Sequence, residues 1–420
     1  MRIFASAALM LAAGIGTAGA QASVATPGFA ERLAAAERVL TMDGAEPGGP
    51  GAATLGEAVD AARYVSIGEA HFSQEIPRFT AALCRRMAPK GLHALAVESG
   101  PEATRLVEAD LRRPDRVERM AAFMRAHPDA MAFQNGAAES DMTAACAAAA
   151  GPGFRVWGLD QEFFGASGFL LEGMAAARPG PVAKAAIDRL QAMDRAATAA
   201  AVASGSPAKL LIYTVTDAEM AAAQAAIDKD GGARARAMFA GLAETRAIFL
   251  ASASGDGDPN GRRARLIKRT LAGYLAAAPA DARVLVKFGD IHMTKGINRL
   301  RQRDLGNYIA ERAEGEGRGS LHILAMGAGG KLGGYNGVGR QVAVRPYDPL
   351  SGTAYPWLAS ALAARPAGAR AGDWLLIDLR ALREGPEAAL PEAWRRVVQG
   401  YDLVVIAPTL TPAFLIGAAP

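Results

Sequence analysis

An α/β protein with a mostly parallel central sheet, helices on both of its faces and a helical cap or insertion is what this 420-residue sequence predicts. Three observations carry that expectation. Short apolar runs recur at 64–67, 92–97, 154–159, 283–288, 321–326, 374–377 and 403–406. Several are separated by segments whose apolar residues have helical spacing, the βαβ order that favours parallel pairing of the two strands and a right-handed crossover. From about 165 to 280 the pattern is overwhelmingly helical and Ala-rich.

The elements follow in chain order. Met1-Arg2, the apolar stretch to Ile15 and Ala18-Gly19-Ala20 have the charged start, apolar middle and small-residue cleavage site of a secretory signal, so residues 1–20 are set aside and export to a periplasmic or extracellular space is expected. Leu9 to Ile15 is too short to span a bilayer, and no membrane span is expected. Residues 21–54 are rich in Gly, Pro and Ala and read as a mobile N-terminal arm, with helical spacing from Phe29 to Leu40. The main domain, 55–420, begins with a strand near Tyr64 and a helix carrying Ile76, Phe79, Leu83 and Met87. The strand Leu92–Val97 ends on Glu98, and Phe154–Leu159 ends on Asp160. After the helical insertion of about 165–280, Arg283–Phe288 ends on Gly289-Asp290-Ile291-His292. A helix with Leu300 and Leu305 precedes Leu321–Met326, and two further runs, at 374–377 and 403–406, complete the sheet. A cap over one edge of such a sheet would shape a pocket for a small-molecule substrate.

Composition narrows the function. The formal charge is +4, and its basic residues are scattered along the chain rather than gathered, so a nucleic-acid partner is not expected. Cys84 and Cys146 both lie in Ala-rich helical stretches; they are either a pair formed in an oxidising compartment or two small buried thiols. There is no Cys-x-x-Cys, no Gly-x-Ser-x-Gly nucleophile elbow and no His-Glu-x-x-His, which excludes zinc ribbons, serine esterases of the α/β-hydrolase kind and zincins. The segment 327–334 is glycine-rich but lacks the Gly-Lys-Ser/Thr of a phosphate-binding loop, and reads as a flexible loop.

What remains is a set of polar residues that strand ends deliver to one edge: Glu69, His71, Glu98, Asp160, Asp290 and His292. One imidazole could serve as general base on water, with a carboxylate holding its tautomer and the second imidazole at the carbonyl or leaving group. The same groups could instead hold a divalent metal that lowers the pKa of its bound water. Spacing leaves both open. A single Glu at a strand end is commonly a helix-terminus partner or a surface ion pair, and Glu75 and Arg78, at i and i+3, have the spacing of such a pair. Asp160 reads as an orienting group, and His93, His127 and His322 as structural or exposed.

At these residues the chain resembles the erythromycin esterase-like family and its wider relatives, the ChaN-like haem-binding proteins and the TraB and Tiki proteins. The first motif is Gly68-Glu69-Ala70-His71 followed by Glu75 and Arg78; the second is Ala96-Val97-Glu98-Ser99-Gly100. Gly158-Leu159-Asp160-Gln161 is similar to the family's Gly-Phe-Asp segment, and Asp290-Ile291-His292 with Leu305-Gly306-Asn307-Tyr308 to its last motif. Two departures stand out: one residue rather than two separates Glu69 from His71, the ChaN-like spacing, and Asp290 replaces an Asn. The resemblance implies His71, Glu69, Glu98 and His292 as catalytic residues, with Glu75, Arg78, Asp160 and Asp290 around the substrate. It implies hydrolysis of an ester or related acyl bond, with haem or iron binding, or a metal-dependent peptidase, as the alternatives. No cofactor is firmly implied; a divalent metal or haem is the expectation if one is bound.

Overall fold

The computed structural model describes residues 28–384 and 390–419, and the signal-like segment lies outside them. Eight strands form the central sheet: β1 (Glu37–Leu40), β2 (Tyr64–Glu69), β3 (Leu92–Val97), β4 (Arg155–Gly158), β5 (Arg283–Gly289), β6 (Ser320–Gly327), β9 (Trp374–Asp378) and β10 (Leu403–Ala407). The remaining two, β7 (Gly330–Gly334) and β8 (Ala343–Tyr347), make a separate antiparallel pair. The sheet order is β1-β9-β10-β6-β2-β5-β3-β4. All pairings from β10 to β4 are parallel, whereas β9 runs antiparallel to both of its neighbours.

The apolar runs form strands because each is buried on both faces, as a parallel sheet covered by helices requires. Every residue of β2 and β5 is buried. On one face Val65, Ile67 and Leu285 pack with Ile76, Phe79 and Leu83 of the helix Glu75–Met87 and with Met142 of the helix Ala137–Ala150. On the other face Tyr64, Val284, Val286 and Phe288 pack with Leu305 and Ile309 of the helix Leu305–Gly315 and with Ile267 and Leu271 of the helix Pro259–Ala277. Cys84 and Cys146 are disulfide-bonded, joining two of these helices.

Three expectations need correction. The helix beginning at Phe29 stops at Ala36, because Glu37–Leu40 pairs with β9 and becomes an edge strand; a further helix covers Gly51–Ala61. The glycine-rich segment is not a loop: Gly330–Gly334 pairs with β8, and Leu410 anchors it through backbone bonds to Gly329 and Lys331. Strands β2 and β3 are parallel but not adjacent, since β5 lies between them. A strand arriving nearly two hundred residues later leaves no local trace in that βαβ unit.

That insertion positions the site. From the end of β2 the chain crosses to the helix Glu75–Met87 on one face; from the end of β5 it crosses to Leu305–Gly315 on the other. Two adjacent parallel strands whose connections leave towards opposite faces open a crevice at their carboxyl ends, the usual ligand position in such sheets. Between β4 and β5 the chain is helical from Ser167 to Ala277, with its own core around Leu170, Ile187, Phe239 and Leu242. No helix among the described residues is long and apolar enough to cross a membrane.

Candidate active site

Glu69 ends β2, His71 follows it, Glu98 follows β3, Asp160 follows β4, and His292 sits in the short helix Asp290–Met293 after β5. The four strand ends bring these five side chains together. His71 Nδ1 lies 2.9 Å from Glu69 Oε1, and His71 Nε2 lies 3.3 Å from Glu98 Oε2. His292 Nδ1 lies 2.7 Å from Asp304 Oδ2, and its Nε2 lies 3.6 Å from Glu98 Oε1. Both imidazoles are thus held by a carboxylate at Nδ1 while their Nε2 atoms converge on Glu98.

Backbone conformation makes this approach possible. The amide N–H of Gly289 donates to Glu98 Oε2 at 2.6 Å, and a Cβ at position 289 would stand 2.7 Å from His71 Nε2. Only glycine lets the end of β5 pass this close to the ring. On its flat side His71 stacks on Phe133, with centroids 4.0 Å apart, and Phe133 also meets Phe72. Phe72 and Phe133 hold φ of 62° and 60°, a conformation bulky residues rarely adopt and one that recurs at functional sites.

Four charged residues that sequence reading did not single out complete the cluster. Arg263, from the helix Pro259–Ala277, donates to Glu98 Oε1 at 2.7 Å, to Asp160 through Nε and Nη2, and to His292 Nε2 at 3.1 Å through Nη1. Because a guanidinium only donates, His292 Nε2 accepts, and the ring carries its proton on Nδ1, donated to Asp304. Lys287, from β5, bonds to Glu69 Oε1 and, at 2.6 Å, to Glu139 Oε1 of the helix Ala137–Ala150. Asp304 receives Asn298 Nδ2 at 3.2 Å and caps the helix Leu305–Gly315 through the Leu305 amide. Asp304 preceding an apolar helix start is a readable N-cap signal, and Lys287 stands alone in the apolar run 284–288; Arg263, among Arg262 and Arg265, has no such mark.

Electrostatics fixes the resting charge. Burial alone would lower the pKa of His71, but the Glu98 charge and the bonds to Glu69 and Glu98 outweigh it and raise the imidazole to about 10. Burial would raise Glu98; the charge and hydrogen bond of His71, with the charge of Arg263, instead hold it well below the usual carboxylate range. Glu69 is likewise lowered, against its burial, by the Lys287 charge and by His71. Glu139, for which burial prevails, is raised. His71 therefore rests as an imidazolium between two carboxylates.

The other expected residues stand elsewhere. Glu75 accepts from the Thr411 amide at 2.8 Å and hydroxyl at 2.6 Å, pinning the C-terminal segment, and Arg78 donates to the Met42 carbonyl rather than to Glu75. Asp290 points away from His71: it receives Arg299 at 2.9 Å and the Tyr355 hydroxyl at 2.8 Å, in a cleft of about 650 Å³ lined also by Trp357, Arg396 and Tyr401.

The donor set suits a cation poorly. Lys287 and Arg263 already occupy oxygens of Glu69, Glu139, Glu98 and Asp160, both nitrogens of each imidazole have side-chain partners, and among the described residues no group of three or more His, Cys, Asp or Glu is disposed to hold a metal ion.

No family model and no curated protein matches this chain. Solved structures share its fold. A histidine-to-asparagine mutant of the erythromycin esterase EreC, in an open conformation, is 14% identical with a TM-score of 0.59, covering 86% of this chain and 94% of its own. A succinoglycan biosynthesis protein is 13% identical (TM-score 0.57; 92% and 97% covered), and a Bacillus cereus protein 12% identical (TM-score 0.56; 92% and 98% covered). At these identities the likeness is one of fold, and it is the fold that the motif resemblance implied.

Proposed function

We propose that this chain is a hydrolase of an ester or related acyl bond in which His71 is the general base on water. The observation that carries the reading is the convergence of two carboxylate-held imidazoles on Glu98, at the carboxyl edge of the sheet. His71 is the reachable member, its side chain 24% exposed, whereas that of His292 is 6% exposed.

In the proposed reaction a substrate carbonyl and a water enter beside His71 and separate its Nε2 from Glu98. Without that charge beside it, the imidazolium loses the leading effect that raises its pKa and gives up the Nε2 proton to solvent. Glu69 keeps the remaining proton on Nδ1, so Nε2 is the basic atom. Nε2 then takes a proton from water as the water oxygen attacks the carbonyl carbon. The same proton passes to the leaving alkoxide as the carbonyl carbon–oxygen single bond breaks, giving acid and alcohol. Arg263 has five N–H groups, four of which meet Asp160, Glu98 and His292. We assign the fifth, on Nη1, to the developing oxyanion, an electrostatic role of the oxyanion-hole kind. His292, which accepts from Arg263 instead of donating, then orients the guanidinium. The fold shared with an erythromycin esterase supports a hydrolase, and the Cys84–Cys146 disulfide supports an exported one, since such bonds persist in oxidising compartments.

The reading is free of metal and haem. Purified protein should hydrolyse members of an ester panel with turnover unchanged by exhaustive chelation and should show no Soret absorbance. Loss of all turnover on chelation, restored by one divalent ion, would replace the His71 mechanism with a metal-bound water.

A further inference from the structure

Lys287 is an anomaly in its strand. Leu285 on the same face of β5, and Val65 and Ile67 on neighbouring β2, all belong to one apolar core, and Ile67 is the direct register partner of Lys287. Its ammonium nevertheless lies in that layer, with a side chain only 3% exposed, between Glu69 and Glu139, themselves 3% and 7% exposed. Three buried charges are an expensive way to fill a core, because an apolar side chain of similar size packs there without desolvation cost. The arrangement has a direction, however. Glu69 Oε1 is shared between Lys287 Nζ and His71 Nδ1, and the second oxygen, Oε2, has no hydrogen-bond partner. The one oxygen that fixes the ring of His71 is the one that the ammonium holds.

Glu139 secures the ammonium from the opposite side, and its placement is itself reinforced. It stands in the first turn of the helix Ala137–Ala150, whose Cys146 is bonded to Cys84 of the helix that follows His71. The segment leading into the same helix carries Phe133, which stacks on His71. One element therefore supplies both the anchor of the ammonium and the wall of the ring.

We propose that Lys287, clamped by Glu139, is a positioning residue for His71: it acts through Glu69 to keep the proton of the imidazole on Nδ1 and the Nε2 atom directed at the crevice. The assignment rests on the reading of His71 as general base for its catalytic consequence, but not for its structural one. Removing the ammonium leaves Glu69 a buried carboxylate held only by His71, which favours protonation or rotation of the carboxyl group and frees the ring to exchange tautomers.

The test uses the full-length mature protein. Lys287→Met alone strands two acids, so it is made together with Glu139→Gln, which removes the second charge, and folding is checked by circular dichroism. In histidine-labelled protein held above about pH 10, where the ring is neutral, nitrogen NMR should show His71 protonated at Nδ1 in the wild type and as a mixture of tautomers in the double variant. In kinetics on any cleaved ester, kcat should fall on the order of 10²-fold with little change in KM. Adding Glu69→Gln should then cost nothing further, as groups that act in series are non-additive. An unchanged His71 tautomer in the folded double variant overturns the positioning role, whether or not an ester is cleaved. Losses of Glu69→Gln and the double variant that multiply overturn it as well. Absence of hydrolysis in the wild type, with the tautomer shift present, overturns the hydrolase reading and leaves the positioning of His71 standing.

Discussion

The two ring nitrogens of His71 carry different work, and pH separates them. Nδ1 is committed to Glu69 at 2.9 Å, whereas the 3.3 Å contact of Nε2 with Glu98 is the looser of the ring's two and the one that must open. With Glu98 and Glu69 holding the imidazole at about 10, the basic form of His71 in the free protein grows only as pH rises towards that value. A profile of kcat/KM reports free-enzyme groups, so it should climb with pH through the neutral range into the alkaline. Replacing Glu98 by Gln removes the leading charge that raises His71, so the rising limb of Glu98→Gln should move to lower pH while its plateau falls. A limb that stays in place would show that another group, not His71, sets the profile. Residues of this kind were legible in the sequence to the extent that strand ends delivered them: Glu69, His71, Glu98, Asp160 and His292 all close apolar runs. Glu75, Arg78 and Asp290 shared the motifs but not the cluster, because a helix or a one-residue step turns their side chains to Thr411, Met42 and Arg299. Spacing records the path of the chain and not the direction of a side chain.

The helices Glu75–Met87 and Ala137–Ala150 lie side by side over β2, and one disulfide ties them across 62 residues of chain. In the chain-entropy picture a loop of that length restricts the unfolded state by about 4 kcal/mol. The variant with Cys84→Ser and Cys146→Ser should therefore lose stability of roughly that order in a denaturant titration, with its midpoint falling and its slope little changed. Reduction of the wild-type protein should produce the same shift. A midpoint unmoved by either treatment would mean that packing alone holds the two helices. The sequence left the pairing of these cysteines open because Ala-rich helices predict burial equally for a thiol and for a bridge. It also concealed β1 and β7: Glu37–Leu40 continues a helical spacing, and Gly330–Gly334 has almost no side chains to alternate, so both are strands by virtue of their partners, β9 and β8.

At the scale of the molecule, three parts of the chain, far apart in sequence, have to meet for the site to exist. β2 supplies Glu69 and His71, the helical stretch between β4 and β5 supplies Arg263, and β5 supplies Lys287 and the glycine that lets Glu98 and His71 close up. The α/β class and the carboxyl-edge location were readable from apolar runs alone. The interposition of β5 between β2 and β3 was not, since strand order is settled by long-range pairing that no local pattern encodes. Arg263 is the clearest cost of that gap: on a helix rich in arginines, only the three-dimensional meeting with Asp160, Glu98 and His292 distinguishes it from its neighbours. The proposed chemistry nevertheless turns on one side chain. Turnover of a cleaved ester by His71→Ala, measured after circular dichroism shows the variant folded, should fall by roughly 10²–10⁴-fold, the usual contribution of a general base, with KM nearly unchanged. Near wild-type turnover would contradict the account and make His71 a structural residue between Glu69 and Glu98.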